Sequence, residues 1–433
     1  MPDTYKRFPD APRPPKGLNK EQLFFWRWKN HPHWALENFF KIRNKSAEIV
    51  PFKLNRAQDV VMNSYYKDTK VGKPRRYIVL KARQMGLSTL FEALLLHDTI
   101  VNQNKNSLIM AHEEAASSNL YAMTKLYYEN LPEMLKPMKK YANGKVLSFM
   151  NPTADETEFQ RNPGLRSKIN VATAGTGEVG RSATFHNIHA SEVAFFPTPK
   201  ETMLGLMQTV PDQKNTLVIW ETTANGIGNF FYEQWKLAER GENDFTTIFL
   251  PWYIQPEYKR DFFTANEREQ FIQEVNSTTY DDRGKTIHTY EYELMNSCNL
   301  TYEQLNWRKH TIKNKCQGDE VLFYQEYPST AEEAFISSGR PKFSIRALRK
   351  YMTHTQEPIW KGYLMGEMGD AKLVEDEKGY ISIWKKPEPN RNYIIGADVA
   401  EGLAIGDFSV GVVYDMDFSL VAKWHGHTDA DLF

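Results

Sequence analysis

The stretch that decides the fold is Lys81-Ala-Arg-Gln-Met-Gly-Leu-Ser-Thr89. It lies between a short apolar run, Tyr77–Leu80, and a longer apolar run, Leu90–Leu96, which favours a helix. A strand, a tight loop with a glycine and two hydroxyl residues, and then a helix is the layout of a phosphate-binding loop. The standard pattern G-x-x-x-x-G-K-[ST] is broken, because Lys stands at its first position and Leu at its seventh. The stretch is therefore either a displaced phosphate loop or an ordinary strand-to-helix turn.

Further strand-like and helix-like segments alternate along the chain around this loop. The predicted strands are Tyr77–Leu80, Ser107–Ala111, Thr184–His189, Thr216–Glu221 and Thr246–Leu250. The predicted helices are Trp26–Phe40, Asn55–Tyr66, Leu90–Thr99 and Glu113–Leu131. Such alternation predicts an α/β fold with a mostly parallel sheet flanked by helices, as in P-loop NTPases. In such sheets the functional groups follow the carboxyl ends of the strands.

The character of the sequence changes at several points and predicts four regions. Residues 1–20 are rich in Pro and Lys and predict a flexible N-terminal arm. Residues 21–255 carry the strand and helix alternation, and residues 256–345 predict a helical linker or lid. Residues 346–433 begin a final domain with short strands and a strand pair.

Composition limits the functional classes. The 433 residues carry a formal net charge of +0, so any contact with nucleic acid is expected to be local and sensitive to salt. Cys298 and Cys316 are the two cysteines, which favours a reducing compartment over a disulfide or zinc framework. We find no uncharged apolar run of about 18 residues, so we expect no membrane span.

The loop contains the groups that a phosphate site needs. Gly86 permits the turn, and Ser88 or Thr89 can supply a hydroxyl for Mg²⁺. Either Lys81 or Arg83 can supply the cation, and the sequence leaves that choice open. Gln58, in a helix upstream of the loop, has the right chemistry to contact an adenine edge, although most such glutamines are solvated.

Polar residues end two of the later strands. Phe185-His-Asn-Ile-His-Ala-Ser-Glu192 places Glu192 where P-loop hydrolases activate water, with Ser191 where a metal-holding Asp is expected. Thr222-Thr223-Ala-Asn225-Gly226 follows the next strand, at a position that senses the γ-phosphate in motor ATPases. Taken alone, each pattern also fits a strand-end carboxylate or an ordinary turn.

Two other patterns are less persuasive. Gly175-Thr-Gly177-Glu-Val-Gly180 matches a dinucleotide fingerprint in letters but precedes a strand, so a flexible loop carrying Arg181 fits better. The histidines His112, His186 and His189 lack the spacing of metal ligands.

A strand pair near the end of the chain carries one more candidate. Ile394-Ile-Gly-Ala-Asp398 and Phe408–Asp415 predict a hairpin with an aspartate. RNase H-like nucleases begin in this way, and Asp398 would then be a metal ligand. A hairpin with an inward Asp is about equally compatible with a purely structural role.

Taken in this order, the elements resemble the large terminase subunit of tailed bacteriophages, the DNA-packaging motor. The resemblance rests on the loop at 81–89, Ser-Glu192-Val-Ala-Phe, Glu-Thr-Thr-Ala-Asn-Gly226, Phe323-Tyr-Gln-Glu-Tyr-Pro-Ser-Thr-Ala-Glu-Glu-Ala-Phe335 and Gly-Ala-Asp398-Val-Ala-Glu-Gly, and covers roughly residues 25–433. It implies ATP and Mg²⁺ as cofactors, and Mg²⁺ or Mn²⁺ for the nuclease of the full-length parent.

The resemblance also implies roles for individual residues. Glu192 would activate water, and Arg181 would act on a neighbouring subunit as an arginine finger. Thr222, Thr223 and Asn225 would couple hydrolysis to movement, and Asp398 would hold a nuclease metal. Nucleotide and Mg²⁺ would be held by Gln58, Lys81, Arg83, Gln84, Gly86, Leu87, Ser88 and Thr89.

The partners implied are double-stranded DNA, a portal protein and a small terminase subunit. The chain would form a homo-oligomeric ring when assembled and a monomer when free, in the host cell cytoplasm and transiently on the procapsid portal. Because only residues 399–433 follow Asp398 and an RNase H-like domain needs about 100 residues, we expect an incomplete, inactive nuclease domain here. The alternatives are a helicase-like P-loop ATPase unrelated to packaging and a non-hydrolysing DNA-binding or scaffold module.

Overall fold

The computed structural model of the protein describes residues 2–175, 183–280, 286–337, 355–366, 371–400 and 408–427. The chain forms two compact units, Met1–Lys342 and Phe343–Phe433. The α-helices belong to the first unit and are α1 (Pro2–Arg7), α2 (Lys20–Asn30), α3 (Pro32–Phe39), α4 (Arg56–Val71), α5 (Leu87–Ile100), α6 (Glu114–Glu129), α7 (Glu156–Arg161), α8 (Pro199–Met207), α9 (Phe230–Glu239), α10 (Ala265–Val275), α11 (Tyr290–Cys298), α12 (Tyr302–Lys315), α13 (Glu320–Glu326) and α14 (Ala331–Ser337).

The strands of the first unit include two short hairpins and one large sheet. The strands are β1 (Lys41–Arg43), β2 (Ile49–Pro51), β3 (Arg75–Lys81), β4 (Asn106–Ala111), β5 (Tyr141–Ala142), β6 (Val146–Phe149), β7 (Ser167–Thr173), β8 (Asn187–Ser191), β9 (Leu217–Thr222), β10 (Thr246–Leu250), β11 (Thr278–Tyr280) and β12 (Thr286–His288). Single 3₁₀ turns cover Glu133–Leu135, Val193–Phe195 and Trp252–Ile254.

Eight strands of the described residues form the large sheet in the order β10-β3-β9-β8-β4-β7-β6-β5. The six strands from β10 to β7 run parallel, whereas β6 is antiparallel to β7 and β5 is antiparallel to β6. This mostly parallel sheet with its helices confirms the predicted α/β class. Because β9 lies between β3 and β8, the carboxyl ends of these three strands meet at one edge.

Burial explains why the central elements form where they do. All seven residues of β3 are buried, as a parallel strand covered on both faces requires. The following helix α5 buries nearly its whole length, from Leu87 to Ile100. A helix that is apolar all round lies in a core, so the loop between β3 and α5 is anchored on both sides.

Two expectations from the sequence are corrected near the N-terminus. The single helix predicted over Trp26–Phe40 is two helices, because Pro32 lacks an N–H and starts a new helix as its first residue. The loose arm predicted over residues 1–20 is wrong for its middle part: Phe8 is fully buried, and Arg7 pairs with Glu37 at 2.9 Å and with Asp59 at 2.6 Å.

Residues 256–345 are mostly helical where the structure describes them, with α10 to α14 and the β11–β12 hairpin. A role for this region as a linker or lid stays a prediction. In the described parts of the chain, no helix combines the length and the apolar character needed to cross a bilayer.

The second unit is an antiparallel sheet. Its strands are β13 (Trp360–Met365), β14 (Lys372–Glu375), β15 (Ile381–Ile383), β16 (Tyr393–Asp398), β17 (Ser409–Asp415) and β18 (Leu420–Gly426). Their order is β14-β13-β15-β18-β17-β16. The β16–β17 hairpin is the strand pair that the sequence predicts, with Asp398 opposite Val410.

Candidate functional site

The loop between β3 and α5 has the geometry of an anion cradle. Gly86 precedes α5 in the left-handed region at φ 69°, and no side chain caps the helix there. The first N–H groups of an α-helix have no acceptor within the helix. Together with the helix dipole they favour an anion, so the N–H groups of Leu87, Ser88 and Thr89 are available to phosphate oxygens.

Two side chains from the start of α4 hold this loop in place. Gln58 Nε2 donates to the Gly86 carbonyl at 2.6 Å, and Asn55 Nδ2 donates to the Met85 carbonyl at 3.0 Å. Gln58 and Asn55 also cap α4 reciprocally. Gln58 is 3% exposed, so its visible role is to position the loop, and its contact with adenine stays a prediction.

Glu192 lies at the carboxyl edge of the sheet, directly after β8. Its backbone is left-handed at φ 60°, ψ 46°, a conformation that costs a non-glycine residue about 1–2 kcal/mol. Glu192 Oε1 accepts from Lys81 Nζ at 3.1 Å. Its Oε2 accepts from the Thr222 hydroxyl at 3.1 Å and from the Thr223 N–H at 3.3 Å. The predicted base is thus fixed by β3 and β9.

The two candidate cations are in different surroundings. Lys81 is 8% exposed, and its Nζ lies 3.9 Å from Glu221 Oε2 in addition to its contact with Glu192. Burial alone would lower the pKa of Lys81, but the charges of Glu221 and Glu192 raise it. Arg83 is largely exposed and pairs with Glu326 of α13. Lys81 is therefore the cation at the carboxyl edge.

Glu221, to which the sequence gave no role, lies at the centre of the site. It is fully buried near the end of β9. Its Oε1 accepts from Ser88 Oγ at 2.7 Å, from Ser191 Oγ at 3.1 Å and from His189 Nε2 at 3.1 Å. Burial would raise the pKa of Glu221, but the charge of Lys81 and the bond to His189 lower it to about 2.

A second buried carboxylate lies on the other side of His189. His189 Nδ1 donates to Glu92 Oε1 at 2.7 Å, and Glu92 Oε2 accepts from the Thr124 hydroxyl at 2.9 Å. Burial would lower the pKa of His189, but its hydrogen bonds to Glu221 and Glu92 raise it to about 9. The imidazolium donates to both carboxylates and fixes the orientation of Glu221.

Sequence signals for these residues exist. Glu92, His189 and Glu221 each stand as an ionisable residue within an apolar run. Charged side chains are almost never fully buried unless they are paired. Such positions therefore indicate mutual partners, although the pairing itself depends on the strand order.

The predicted coupling residues link the site to α9. Thr222 and Thr223 contact Glu192 directly, as described above. Asn225 Nδ2 donates to the carbonyl of Ala194, in the 3₁₀ turn that follows Glu192, at 3.0 Å. The Asn225 carbonyl accepts from Asn229, whose side chain caps α9. A continuous path of hydrogen bonds therefore joins Glu192 to the start of a helix.

A cavity of about 570 Å³ opens beside the first turn of α5. Thr89 lines it together with Arg43 and Asn44 of the β1–β2 connection and Lys125 and Tyr127 of α6. Tyr127 also donates to the Thr89 carbonyl at 3.2 Å. The cavity is large enough for a nucleoside.

Other predicted residues do not join this site. Arg181 and the glycines Gly177 and Gly180 lie outside the described residues. Asp398 belongs to β16 of the second unit, where its side chain is exposed. Within the described ranges, no three His, Cys, Asp or Glu side chains are arranged to hold a metal by themselves.

Comparisons with known proteins give structural neighbours. No family model matches the chain. The chain is similar to the HK97 bacteriophage large terminase (11% identity over 90% of this chain and 66% of that chain, TM-score 0.42). It is similar to the Thermus phage P74-26 large terminase ATPase domain (12% identity, 59% of this chain, 87% of that chain, TM-score 0.38). A third is the large terminase of a thermophilic bacteriophage in complex with ADP (8% identity, 86% of this chain, 68% of that chain, TM-score 0.36).

All three neighbours are large terminases, the family that the sequence motifs resemble. The chain spans about two thirds of the length of the HK97 protein.

Proposed function

We propose that this protein is an ATPase whose site lies at the carboxyl ends of β3, β8 and β9. The observation that carries the proposal is the meeting of Lys81, Glu192 and the uncapped N-terminus of α5 at one edge of the sheet. A cation, a carboxylate and a row of free N–H groups are the parts that phosphoryl transfer to water needs.

The roles follow from the contacts. The N–H groups of Leu87, Ser88 and Thr89 and the ammonium of Lys81 bind the phosphates. Lys81 now pairs with Glu192 at 3.1 Å. A phosphate that competes for Lys81 leaves the Glu192 carboxylate free to accept the proton of the attacking water. Arg83, paired with Glu326, has a lesser part.

The donor set near the loop fits Mg²⁺. Ser88, Ser191 and Glu221 present hydroxyl and carboxylate oxygens, the ligands that Mg²⁺ prefers, and phosphates and water complete such sites. Bound Mg²⁺ would neutralise charge that develops on the phosphates. The cavity beside Thr89 is our proposed site for the base and ribose.

The finer proposal is a DNA-packaging motor in which hydrolysis drives translocation of double-stranded DNA into a procapsid. The ordered motifs support this, as does the path from Glu192 through Thr222, Thr223 and Asn225 to α9. The proposal includes a homo-oligomeric ring with Arg181 acting between subunits, a portal protein and small subunit as partners, and the host cytoplasm as location. Asp398 stays a proposed nuclease metal ligand.

The test is steady-state ATP turnover with and without linear double-stranded DNA. The wild type is expected to hydrolyse ATP and to be stimulated by the DNA. Lys81→Ala is expected to remove turnover, with a smaller reduction for Arg83→Ala. Lys105→Ala is the matched control, because Lys105 is a buried lysine paired with Asp98 at the opposite edge of the sheet.

Each other outcome points to a different protein. Turnover that is unchanged in Lys81→Ala would contradict the site. Turnover stimulated only by single-stranded DNA would favour the helicase-like ATPase. Nucleotide binding without any hydrolysis, at protein concentrations high enough for a ring to assemble, would favour a binding module.

A further inference from the structure

The acid expected after the core of β8 is missing, and another carboxylate lies in its place. Position 191 carries Ser where a P-loop hydrolase has its metal-holding Asp. Ser191 lies opposite Glu221 in the β8–β9 register. Ser191 Oγ donates to Glu221 Oε1 at 3.1 Å. The negative charge absent from β8 is therefore supplied by the neighbouring strand.

The two oxygens of this carboxylate are used very differently. Oε1 accepts three hydrogen bonds, from Ser88, Ser191 and His189. Oε2 is buried and accepts no hydrogen bond. A buried, ionised oxygen without a donor is unfavourable and rare, and it calls for a partner. The carboxylate is thus anchored through one oxygen and leaves the other for a ligand.

Lys81 does not fully provide that partner. Its Nζ lies 3.9 Å from Glu221 Oε2 and 3.1 Å from Glu192 Oε1, so its hydrogen bond goes to Glu192. His189 is committed to Oε1 and to Glu92. Both nearby cations therefore stabilise the charge of Glu221 without satisfying Oε2.

Ser88 defines where the ligand would bind. In P-loop hydrolases the hydroxyl of the loop and an acid of the sheet hold the Mg²⁺ of the nucleotide together. Here Ser88 Oγ is 2.7 Å from the Glu221 carboxylate, so the hydroxyl and the acid are already adjacent.

We propose that Glu221 replaces the missing acid of β8 and, with Ser88, holds the Mg²⁺ of the bound nucleotide. Glu92 and His189 are positioning residues that fix the carboxylate from behind, and Ser191 donates to it from the adjacent strand. The inference rests on the proposed ATPase function.

The experiment measures the affinity of ADP by calorimetry, once with Mg²⁺ and once with EDTA. In the wild type Mg²⁺ is expected to tighten ADP binding. In Glu221→Gln the gain from Mg²⁺ is expected to fall by about 10- to 100-fold, while the affinity in EDTA is kept or improved. Glu333→Gln is the control, because Glu333 is also a buried glutamate and is expected to keep the full gain.

A second variant relocates the charge. Ser191→Asp combined with Glu221→Gln puts the carboxylate back on β8 and is expected to restore part of the Mg²⁺ gain. This variant and Glu221→Asp keep a negative charge in the site, so they report even if Glu221→Gln fails to fold.

The outcomes separate this inference from the proposed function. A wild-type gain from Mg²⁺ that Glu221→Gln retains would overturn the role of Glu221 and leave the ATPase intact. Equal gains in Glu221→Asp and wild type, with no effect of adding Asp at 191, would overturn it as well. A wild type that binds ADP in neither buffer would overturn both.

Discussion

At the residue scale, the buried row Glu92, His189 and Glu221 is the least expected feature of the site. Two carboxylates enclose one imidazolium, and each of the three side chains is fully buried. A buried charge persists only when partners replace its hydration. The row is therefore best understood as support for Glu221, whose orientation the proposed site needs.

His189 makes the stability of the protein depend on pH. Its pKa is raised from 6.5 to about 9 in the folded state. A raised folded-state pKa contributes stability that is fully present below pH 6.5 and is lost as the pH rises through 9. From pH 6 to 9.5 we expect this contribution, about 3 kcal/mol, to disappear from the free energy of unfolding.

Urea unfolding across this range checks the expectation. The double variant His189→Gln with Glu92→Gln removes the imidazole and one carboxylate, so its stability is expected to change much less between pH 6 and 9.5. Parallel pH profiles for the variant and the wild type would show that His189 is not the group responsible.

At the element scale, the junction of β3 and α5 is held by α4. Gln58 and Asn55 each donate to a loop carbonyl, and Gly86 takes the left-handed conformation between them. The phosphate-binding N–H groups therefore depend on a helix that precedes the loop in sequence. This explains why a displaced lysine at 81 is compatible with a well-formed cradle.

Gly86→Ala tests the junction. At φ 69° a side chain is strained, and a Cβ would lie 3.1 Å from Gln58 Nε2. We expect a stability loss of about 1–2 kcal/mol and a clearly weaker affinity for ADP. Gly72→Ala is the matched control, because φ is 71° there and nothing lies within 4 Å of the added Cβ.

Thermal unfolding and ADP calorimetry on both variants give the answer. Both are expected to lose similar stability, whereas only Gly86→Ala is expected to lose ADP affinity. Equal ADP affinities in the two variants would mean that the loop tolerates displacement and does not bind phosphate as proposed.

The sequence predicted the central elements well for a physical reason. β3, β8 and β9 are apolar runs that end in polar residues, and burial on both faces of a parallel sheet requires such runs. β7 was missed, because Lys168 and Asn170 interrupt its apolar pattern. The break at Pro32 was missed because aromatic spacing continues across it.

The candidate site was only partly predictable. Glu192, Lys81 and Ser88 followed from local patterns, because each stands directly at the end of a strand or the start of a helix. The role of Glu221 was not predictable in this way. It depends on β9 lying between β3 and β8, an order that no local pattern states.

At the scale of the whole molecule, the first unit brings together residues from distant parts of the chain. The strand order places Lys81, Glu192 and Glu221 at one edge, with Ser88 beside them. The second unit is an antiparallel sheet of separate character, with Asp398 on its edge strand β16. This division agrees with one chemistry at the large sheet and a different one proposed for Asp398.

The central claim is that Glu192 activates water at a nucleotide held by the loop. Single-turnover hydrolysis of ATP, with protein in excess, tests it most directly in the wild type and in Glu192→Gln. We predict that the rate falls about 10²- to 10⁴-fold in the variant, while ADP affinity stays within a few-fold of wild type. Equal hydrolysis rates in the two proteins would contradict the claim.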